Sequence, residues 1–294
     1  MTFETKIDSW LIASRPRTLL AAFVPVMVGS AVAFNEGKLN IIFSLAALIC
    51  SILIQVGTNF TNDLYDFLKG ADTIKRKGPR RVLASRLISV GEMKAAIVLT
   101  FLTVFLLGLF LVYHGGTVIF VIGVLSILAG LAYTAGPFPL AYNGLGDIFV
   151  FMFFGIIGTV GTYYLHTNDL SLISFISSIP VGALVTNILV VNNYRDIEED
   201  KTAGKNTLAV KLGKNFTRYQ FTFLIVLSFL VPLILFIFFN ASIFIFLPYL
   251  TLPIAYKVIS MIYTLNGTQL NATLELTARL SAIYGLLFSA GIIL

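Results

Sequence analysis

Long apolar stretches recur along this chain, and they restrict its fold more than any other feature of the sequence. A helix that crosses a bilayer needs about 17–25 mainly apolar residues. Nine such windows are present, at about 18–34, 39–62, 93–114, 116–134, 146–166, 170–194, 216–239, 243–264 and 276–294. Only 12% of the residues are charged, whereas soluble domains carry about 25%. Because lipid offers backbone groups no hydrogen-bond partner, the sequence predicts an all-α membrane protein with nine transmembrane helices.

The basic residues predict how these helices are oriented. Most of the 20 lysines and arginines lie before the first window, between the second and third, or between the sixth and seventh. Elsewhere only Lys38, Lys257 and Arg279 occur. Since cytoplasmic loops are rich in basic residues, we expect the N-terminus inside and the C-terminus outside. The predicted location is a membrane, with the lipid bilayer as surroundings and no nucleic-acid partner.

Two similar acidic motifs follow the second and sixth windows. The first lies in "NFTNDLYD" and the second in "NNYRDIEED", and their polar members are Asn59, Asn62, Asp63 and Asp66, and Asn192, Arg195, Asp196 and Asp200. Helical spacing places Asn59, Asp63 and Asp66 on one face, and Asn192, Asp196 and Asp200 on another. The matched motifs suggest one domain over residues 1–294, with related halves at roughly 18–134 and 146–264. Such repeats often form a binding site where the halves meet.

The acidic residues indicate a magnesium site. The C-terminal end of a helix disfavours carboxylates, so two facing acidic rows need a cation. Mg²⁺ takes oxygen ligands and is typically held by one or two carboxylates together with substrate phosphates. The predicted ligands are Asn62, Asp63, Asp66, Asp196 and Asp200, and the four aspartates are also the predicted catalytic residues. For either motif alone, a solvated loop is the alternative interpretation.

Basic side chains near the motifs would complete a diphosphate site. The candidates are Lys69, Arg76, Arg80, Arg81, Arg195 and Lys205, and arginine binds phosphate oxygens in pairs. A diphosphate at the mouth of an apolar cavity indicates a substrate with a lipid tail. Breaking its allylic C–O bond leaves negative charge that a metal and arginine stabilise. Aromatic side chains could stabilise the allylic cation through cation–π contact, and Tyr133, Tyr142 and Tyr194 are candidates by their position in the sequence.

Four stretches that include these motifs carry a resemblance to a known family. They are "WLIASRPRTLLAAFVPVMVGSA" (10–31), "QVGTNFTNDLYDFLKGADT" (55–73) with "GPRRVLASRLIS" (78–89), "YTAGPFPLAYNGLGDIFVFMFFG" (133–155) and "VNNYRDIEEDKTAGKNTLAVKLG" (191–213). Together they resemble the intramembrane aromatic prenyltransferases of the UbiA type. The greatest similarity is to the branch that prenylates 1,4-dihydroxy-2-naphthoate in menaquinone synthesis.

The resemblance implies a nine-helix bundle around a central cavity under a cytoplasmic cap. It also implies Mg²⁺-dependent transfer of a polyprenyl group from polyprenyl diphosphate to a ring carbon, with loss of CO₂ in the naphthoate branch to give demethylmenaquinol. Carried over to this chain, the metal–diphosphate motifs are Asn62, Asp63 and Asp66, and Asp196 and Asp200. The full predicted substrate-binding set is Asn59, Asn62, Lys69, Arg80, Arg81, Asn192, Arg195, Lys205, Arg17, Tyr133 and Tyr142.

Some points of the resemblance leave alternatives open. Many family members have a third aspartate where Gly70 stands, with Asp72 two residues later, and a tyrosine where Asn192 stands. Arg17 is either the partner of the acceptor's carboxylate or a topological anchor. The acceptor is either the naphthoate or 4-hydroxybenzoate or another aromatic compound. A membrane transporter and a non-catalytic prenyl-binding scaffold are the readings from other classes.

Overall fold

Helices form all the regular structure in residues 5–71 and 81–294, which the computed structural model describes apart from the side chain of Arg17. The α-helices are α1 Lys6–Ser14, α2 Pro16–Asn35, α3 Ile41–Leu68, α4 Val90–Ala132, α5 Gly146–Val150, α6 Gly158–Thr167, α7 Leu172–Arg195, α8 Ile197–Thr202, α9 Leu208–Phe239, α10 Leu252–Thr264 and α11 Leu270–Ile293. Three 3₁₀ segments cover Leu140–Asn143, Ile243–Thr251 and Gly267–Gln269, and a π-helical segment covers Phe151–Ile157. The prediction of an all-α protein is confirmed.

Eight helical stretches within these ranges are long and apolar enough to cross a membrane. They are Thr18–Asn35, Ile41–Leu68, Val90–Ala132, Gly146–Thr167, Leu172–Arg195, Leu208–Phe239, Ile243–Thr264 and Gly267–Ile293. Large apolar side chains such as Leu106 and Phe238 are exposed on their outer surfaces, as contact with lipid requires. The chain is therefore a multi-pass membrane protein. The last stretch starts before the predicted residue 276 because polar residues such as Asn271 and Glu275 extend α11 beyond its apolar part.

The longest stretch, α4, is broken at Gly116. This residue has φ 62° and ψ −153°, which are not helical values, and a positive φ suits glycine because it has no Cβ. Phe101, before the break, lies in the same buried cluster as Ile127 and Leu131, after it. The two parts of α4 therefore fold back on each other as a helical hairpin.

Helix α7 lies at the centre of the largest core. It packs against α9, α11 and α2, and Leu184, Phe221 and Tyr284 from three of these helices are almost completely buried. The π-helical segment also crosses α7 closely: a Cβ placed on Gly155 would lie 2.7 Å from Gly182 Cα. Glycine is required at this crossing because any side chain would separate the two backbones.

The ends of α3 and α7 carry the acidic motifs at one end of the bundle, which we name the acidic end. The first motif occupies the last turns of α3. The second is interrupted, because α7 ends at Arg195 and Asp196 has φ −97° and ψ 9° before α8 begins. Asn192, Asp196 and Asp200 nevertheless all face the cavity described below, as their helical spacing predicts. Adjacent residues on a helix do not face each other, so the contact between Arg195 and Asp196 described below needs this break.

Two connections meet at the acidic end. The 3₁₀ segment Leu140–Asn143 lies between α4 and α5, and the loop between α8 and α9 packs beside it. The backbone N–H of Asn206 donates to the carbonyl oxygen of Tyr142 at 2.9 Å. The ammonium of Lys211 donates to the carbonyl oxygen of Asn143 at 2.8 Å. These bonds hold residues of the two connections against the mouth of the cavity described next.

Candidate active site

A cavity of about 400 Å³ runs inside the bundle from the acidic end towards the Gly116 hairpin turn. Most of its wall is apolar, and Val112 and Ile119 line it on either side of that turn. Phe149, Phe153 and Phe154 also line it, with the rings of Phe149 and Phe153 stacked at 6.0 Å. Among the described residues, the charged side chains that line the cavity all lie at its acidic end: Arg15, Asp66, Arg81, Asp196, Asp200 and Lys205. The cavity therefore joins a charged mouth to a long apolar interior.

The first motif is buried at this mouth. Asn59, Asp63 and Asp66 have only 2–3% of their surfaces exposed. Asn62 lines the cavity, and its Oδ1 accepts a hydrogen bond of 2.8 Å from the hydroxyl of Thr134. Asp63 does not line the cavity directly. Its carboxylate faces the guanidinium of Arg81 at 3.9 Å, and Arg81 does line the cavity.

Asp66 is the point where the two motifs meet. Its Oδ2 accepts a 3.0 Å charge-assisted hydrogen bond from Lys205, which follows the second motif. Its Oδ1 accepts a 2.8 Å hydrogen bond from the phenol of Tyr142. The ammonium groups of Lys69 and Lys205 lie 4.3 and 4.9 Å from the centre of the Tyr142 ring. These two ammonium groups, next to a carboxylate and an aromatic ring, are suited to bind phosphate oxygens.

The second motif is organised around Arg195. Its guanidinium binds both carboxylate oxygens of Asp196 at 2.7 Å. The same guanidinium donates to Asn192 Oδ1 at 2.8 Å and to Asn271 Oδ1, on α11, at 2.6 Å. Asn192, Asp196 and Asp200 line the cavity, whereas Arg195 lies behind them. Arg195 therefore fixes the position of Asp196 from inside the protein.

Lys69 has an unusual environment for a lysine. Its ammonium donates to the carbonyl oxygen of Thr134 at 2.8 Å. Partial burial lowers the pKa of Lys69 from its ordinary value; the negative charge of Asp66 opposes this effect, and the positive charge of Lys205 adds to it. Two cations are thus held close together near Asp66, as a site for an anion requires.

The structure places the remaining predicted residues as follows. Tyr133 lines the cavity, as does Asn59, whose amide donates to Ser14 O and Thr18 Oγ1 at 2.8 and 3.0 Å. Asn59 thereby ties α3 to the junction of α1 and α2. Asp72, Arg76 and Arg80 lie outside the described residues, and so does the side chain of Arg17. Tyr194 is buried and does not line the cavity.

Several cavity residues were not identified from the sequence. They are Arg15, Thr18, Gln55, Thr134 and Asn193. Arg15 adopts φ 51° at the junction of α1 and α2, and its place in the "SRPRTL" segment was the available signal. Gln55 lies one turn before Asn59, to which it donates at 3.2 Å, so the helical spacing would have included it. Thr134 and Asn193 have no local sequence signal, because their contacts are with residues far away in the sequence.

The donor atoms at the mouth fit magnesium better than zinc. They are carboxylate and amide oxygens, which Mg²⁺ prefers. Within residues 5–71 and 81–294, no three acidic, histidine or cysteine side chains are grouped closely enough to hold a metal by themselves. The residues present therefore fit an ion that takes one or two carboxylates from the protein and further oxygens from a phosphate-bearing substrate.

Comparisons with known proteins identify the family of this chain. The UbiA prenyltransferase family profile matches residues 22–281. The chain is 35% identical to the 1,4-dihydroxy-2-naphthoate octaprenyltransferase of Haemophilus influenzae, over 98% of this chain and 97% of that one. It is 38% identical to the Escherichia coli protein of the same name, over 74% and 72% of the two chains.

A solved structure supports the fold. A UbiA homolog from Archaeoglobus fulgidus bound to GPP and Mg²⁺ superposes with a TM-score of 0.71, over 97% of this chain and 99% of that one, at 16% identity. The transporter and scaffold alternatives are not favoured by relatives that are named as transferases. By sequence and by fold, this chain belongs to the UbiA prenyltransferase family and is a prenyltransferase.

Proposed function

We propose that the protein transfers a polyprenyl group from polyprenyl diphosphate to 1,4-dihydroxy-2-naphthoate, with release of diphosphate and CO₂, to give demethylmenaquinol. The names of the relatives support this choice of substrates. The observation that carries the proposal is the meeting of both acidic motifs at one cavity mouth, through the 3.0 Å contact between Lys205 and Asp66. A diphosphate held there would extend its tail into the apolar cavity.

The mouth binds the diphosphate in this proposal. One or two of the predicted ligands Asn62, Asp63, Asp66, Asp196 and Asp200 would hold Mg²⁺ together with diphosphate oxygens, and a bound Mg²⁺ would supply positive charge to the departing diphosphate. Lys205, Lys69 and Arg81 contact the remaining phosphate oxygens. Arg195 keeps Asp196 in place through its bidentate contact. The electron pair of the broken C–O bond leaves with the diphosphate oxygen.

The residues that line the cavity determine which groups can react with the allylic carbon. The Phe149, Phe153 and Phe154 rings present π-faces that favour positive charge, and the apolar wall excludes water that would hydrolyse the prenyl group. The ring carbon that bears the acceptor's carboxylate forms the new C–C bond. Loss of CO₂ returns the electron pair of the broken C–C bond to the ring, so this step needs no separate base.

The same proposal includes the membrane arrangement. A straight helix of the length of α4 would span about 65 Å, twice the hydrocarbon thickness of about 30 Å, so we count its two parts as separate spans. This gives nine transmembrane helices in a single domain, with related halves at roughly 18–134 and 146–264. In this proposal the acidic end and the N-terminus lie in the cytoplasm of a bacterium, at its plasma membrane, and the basic loops support this orientation. The connections around Tyr142 and Asn206 form the cytoplasmic cap.

A radiochemical assay tests the reaction. Membranes that contain the full chain receive polyprenyl diphosphate, Mg²⁺ and naphthoate labelled with ¹⁴C in the carboxyl group. We expect ¹⁴CO₂ release in step with lipid-soluble product. A parallel reaction offers 4-hydroxybenzoate, the second candidate acceptor. Prenylation of 4-hydroxybenzoate alone, or product without ¹⁴CO₂, would contradict the proposed acceptor chemistry.

A further inference from the structure

Asp147 is a buried carboxylate that the proposed mechanism does not use. It lies in the first turn of α5, at the start of the candidate span Gly146–Thr167, and only 6% of its surface is exposed. Ionisable groups in membrane segments are costly to bury and are commonly functional. Within the described part of the chain, no cation lies within ion-pair distance of Asp147. A specific role is therefore needed to explain its position.

Two neutral amides surround Asp147. The Nε2 of Gln220, on α9, donates to Oδ2 at 2.8 Å. The Nδ2 of Asn193, on α7, donates to Oδ1 at 3.4 Å. Both oxygens of Asp147 accept hydrogen bonds in the structure, so both amides present their NH₂ groups to it. Asp147 therefore decides which way each amide is turned.

Gln220 shows how strongly the carboxylate sets this orientation. Its Oε1 is buried and has no hydrogen-bond partner within the described residues, which is unfavourable for a polar atom. Turning the amide over would place Oε1 against Oδ2 of Asp147, which accepts a hydrogen bond here, so the structure keeps the NH₂ group there. The same rule turns the Oδ1 of Asn193 away from Asp147. No group in the described ranges donates a hydrogen bond to this Oδ1.

Asn193 lines the main cavity. It precedes Asp196 by three residues on α7, so it lies about 4.5 Å deeper along the helix axis. It also lines a small cavity of about 10 Å³ together with Tyr133 and Asp147. Its free acceptor atom is therefore expected beside the position where the prenyl carbon and the aromatic ring react.

We infer that Asp147 is a positioning residue, which turns the Oδ1 of Asn193 into the cavity to accept a hydrogen bond from a hydroxyl group of the aromatic acceptor. Polyprenyl diphosphate carries no hydrogen-bond donor in its tail, so the hydroxyl must belong to the second substrate. This inference rests on the proposed function for the identity of that substrate. It names a contact that selects hydroxylated aromatic compounds.

Asp147→Asn tests the inference, because asparagine has nearly the same shape as aspartate but only one side-chain oxygen. It therefore cannot accept hydrogen bonds from Gln220 and Asn193 through two separate oxygens. With purified full chain in detergent, we expect the KM for dihydroxynaphthoate to rise about five- to tenfold, as for loss of one hydrogen bond. The KM for farnesyl diphosphate should change less than about twofold. Asp147→Glu, which keeps the carboxylate, should recover part of the acceptor affinity.

A double-mutant cycle separates positioning from a general structural effect. Asn193→Ala should raise the acceptor KM by itself, and Asp147→Asn should add nothing in that background. Naphthoates that lack one hydroxyl, used as competitive inhibitors, should bind the native chain more weakly than the dihydroxy compound does. In both variants this difference between the inhibition constants should disappear. Asp169→Asn, at an exposed carboxylate just beyond the opposite end of the span Gly146–Thr167, is the matched control and should leave every constant unchanged.

The outcomes distinguish this inference from the proposed function. Failure of the native chain to turn over dihydroxynaphthoate would overturn the function. Normal turnover with an unchanged acceptor KM in Asn193→Ala, or with equal rises in both KM values in Asp147→Asn, would overturn the positioning role alone. If Asp147→Asn does not fold, Asn193→Ala and the inhibitor series still decide the question.

Discussion

The two acidic motifs look alike in sequence, but the structure stabilises them in different ways. Asp196 is held by its own neighbour Arg195, and their side chains are only 3% and 1% exposed. Asp66 is held by Lys205 and Tyr142, which come from two other connections, and Lys205 is 13% exposed. The second motif is therefore a rigid unit, whereas the first is completed by residues that are nearer to water and freer to contact a substrate.

The largest expected effect is on turnover when either aspartate is removed. Asp66→Ala and Asp196→Ala should each lower kcat about 10³-fold, because the departing diphosphate loses charge stabilisation. Only Asp196→Ala should also lower the Tm in detergent, since it leaves Arg195 buried without its carboxylate. Radiolabelled product and thermal unfolding measure the two effects. Equal Tm values for the two variants would contradict the difference between the motifs.

Arg195→Met sharpens the same difference. Removing one member of a buried ion pair costs about 3–5 kcal/mol, so the variant should unfold at a lower temperature than the native chain. Lys201→Met, at an exposed lysine nearby, provides the control and should unfold normally. A normal Tm for Arg195→Met would mean that Asp196 does not depend on this contact.

Lys205→Met should act on substrate binding instead of stability. Loss of a charged hydrogen bond costs about 1.5–3 kcal/mol, so kcat/KM for polyprenyl diphosphate should fall about ten- to a hundredfold. The Tm should stay close to the native value because Lys205 is partly exposed. A fall in Tm as large as that of Arg195→Met would show that both motifs depend equally on their cations.

The smallest expected effect is a shift in pH dependence through Lys69. Burial lowers the pKa of this lysine, so its charge is complete below that pKa and is lost as the pH rises through it. An ordinary lysine has a pKa of about 10.4. Activity that needs the Lys69 cation should therefore be lost at a lower pH than if Lys69 had this ordinary pKa. Lys69→Arg should move this alkaline limb upwards, since guanidinium stays charged. Lys214→Arg, at an exposed lysine, should leave the pH profile in place.

The sequence was most informative where one helix contains the whole pattern. The apolar windows identified the spans because lipid contact demands apolar side chains over a fixed length. The spacing of Asn59, Asp63 and Asp66 identified a buried helical face, and these residues are buried on α3. The break near residue 115 was also visible, because the apolar stretch there is too long for one crossing.

Contacts between distant segments were beyond the reach of sequence patterns. The hydroxyl of Thr134 reaches Asn62, and Lys205 reaches Asp66, but neither pair has a local signal. The change of direction at Asp196 also escaped prediction, because it depends on an ion pair between neighbours. Asp147 had a weak signal, as a lone acid at the start of an apolar window, that gains meaning only from Asn193 and Gln220 in space.

The glycine break in α4 has a consequence for the range of tails that the protein accommodates. Both arms of this hairpin line the cavity, and one residue joins them without a loop. Because no loop joins the two arms, neither arm should move outwards from the cavity without the other. Inserting a few flexible residues at position 116 should uncouple them and broaden the spread of product lengths, while the chemistry at the opposite end of the bundle continues.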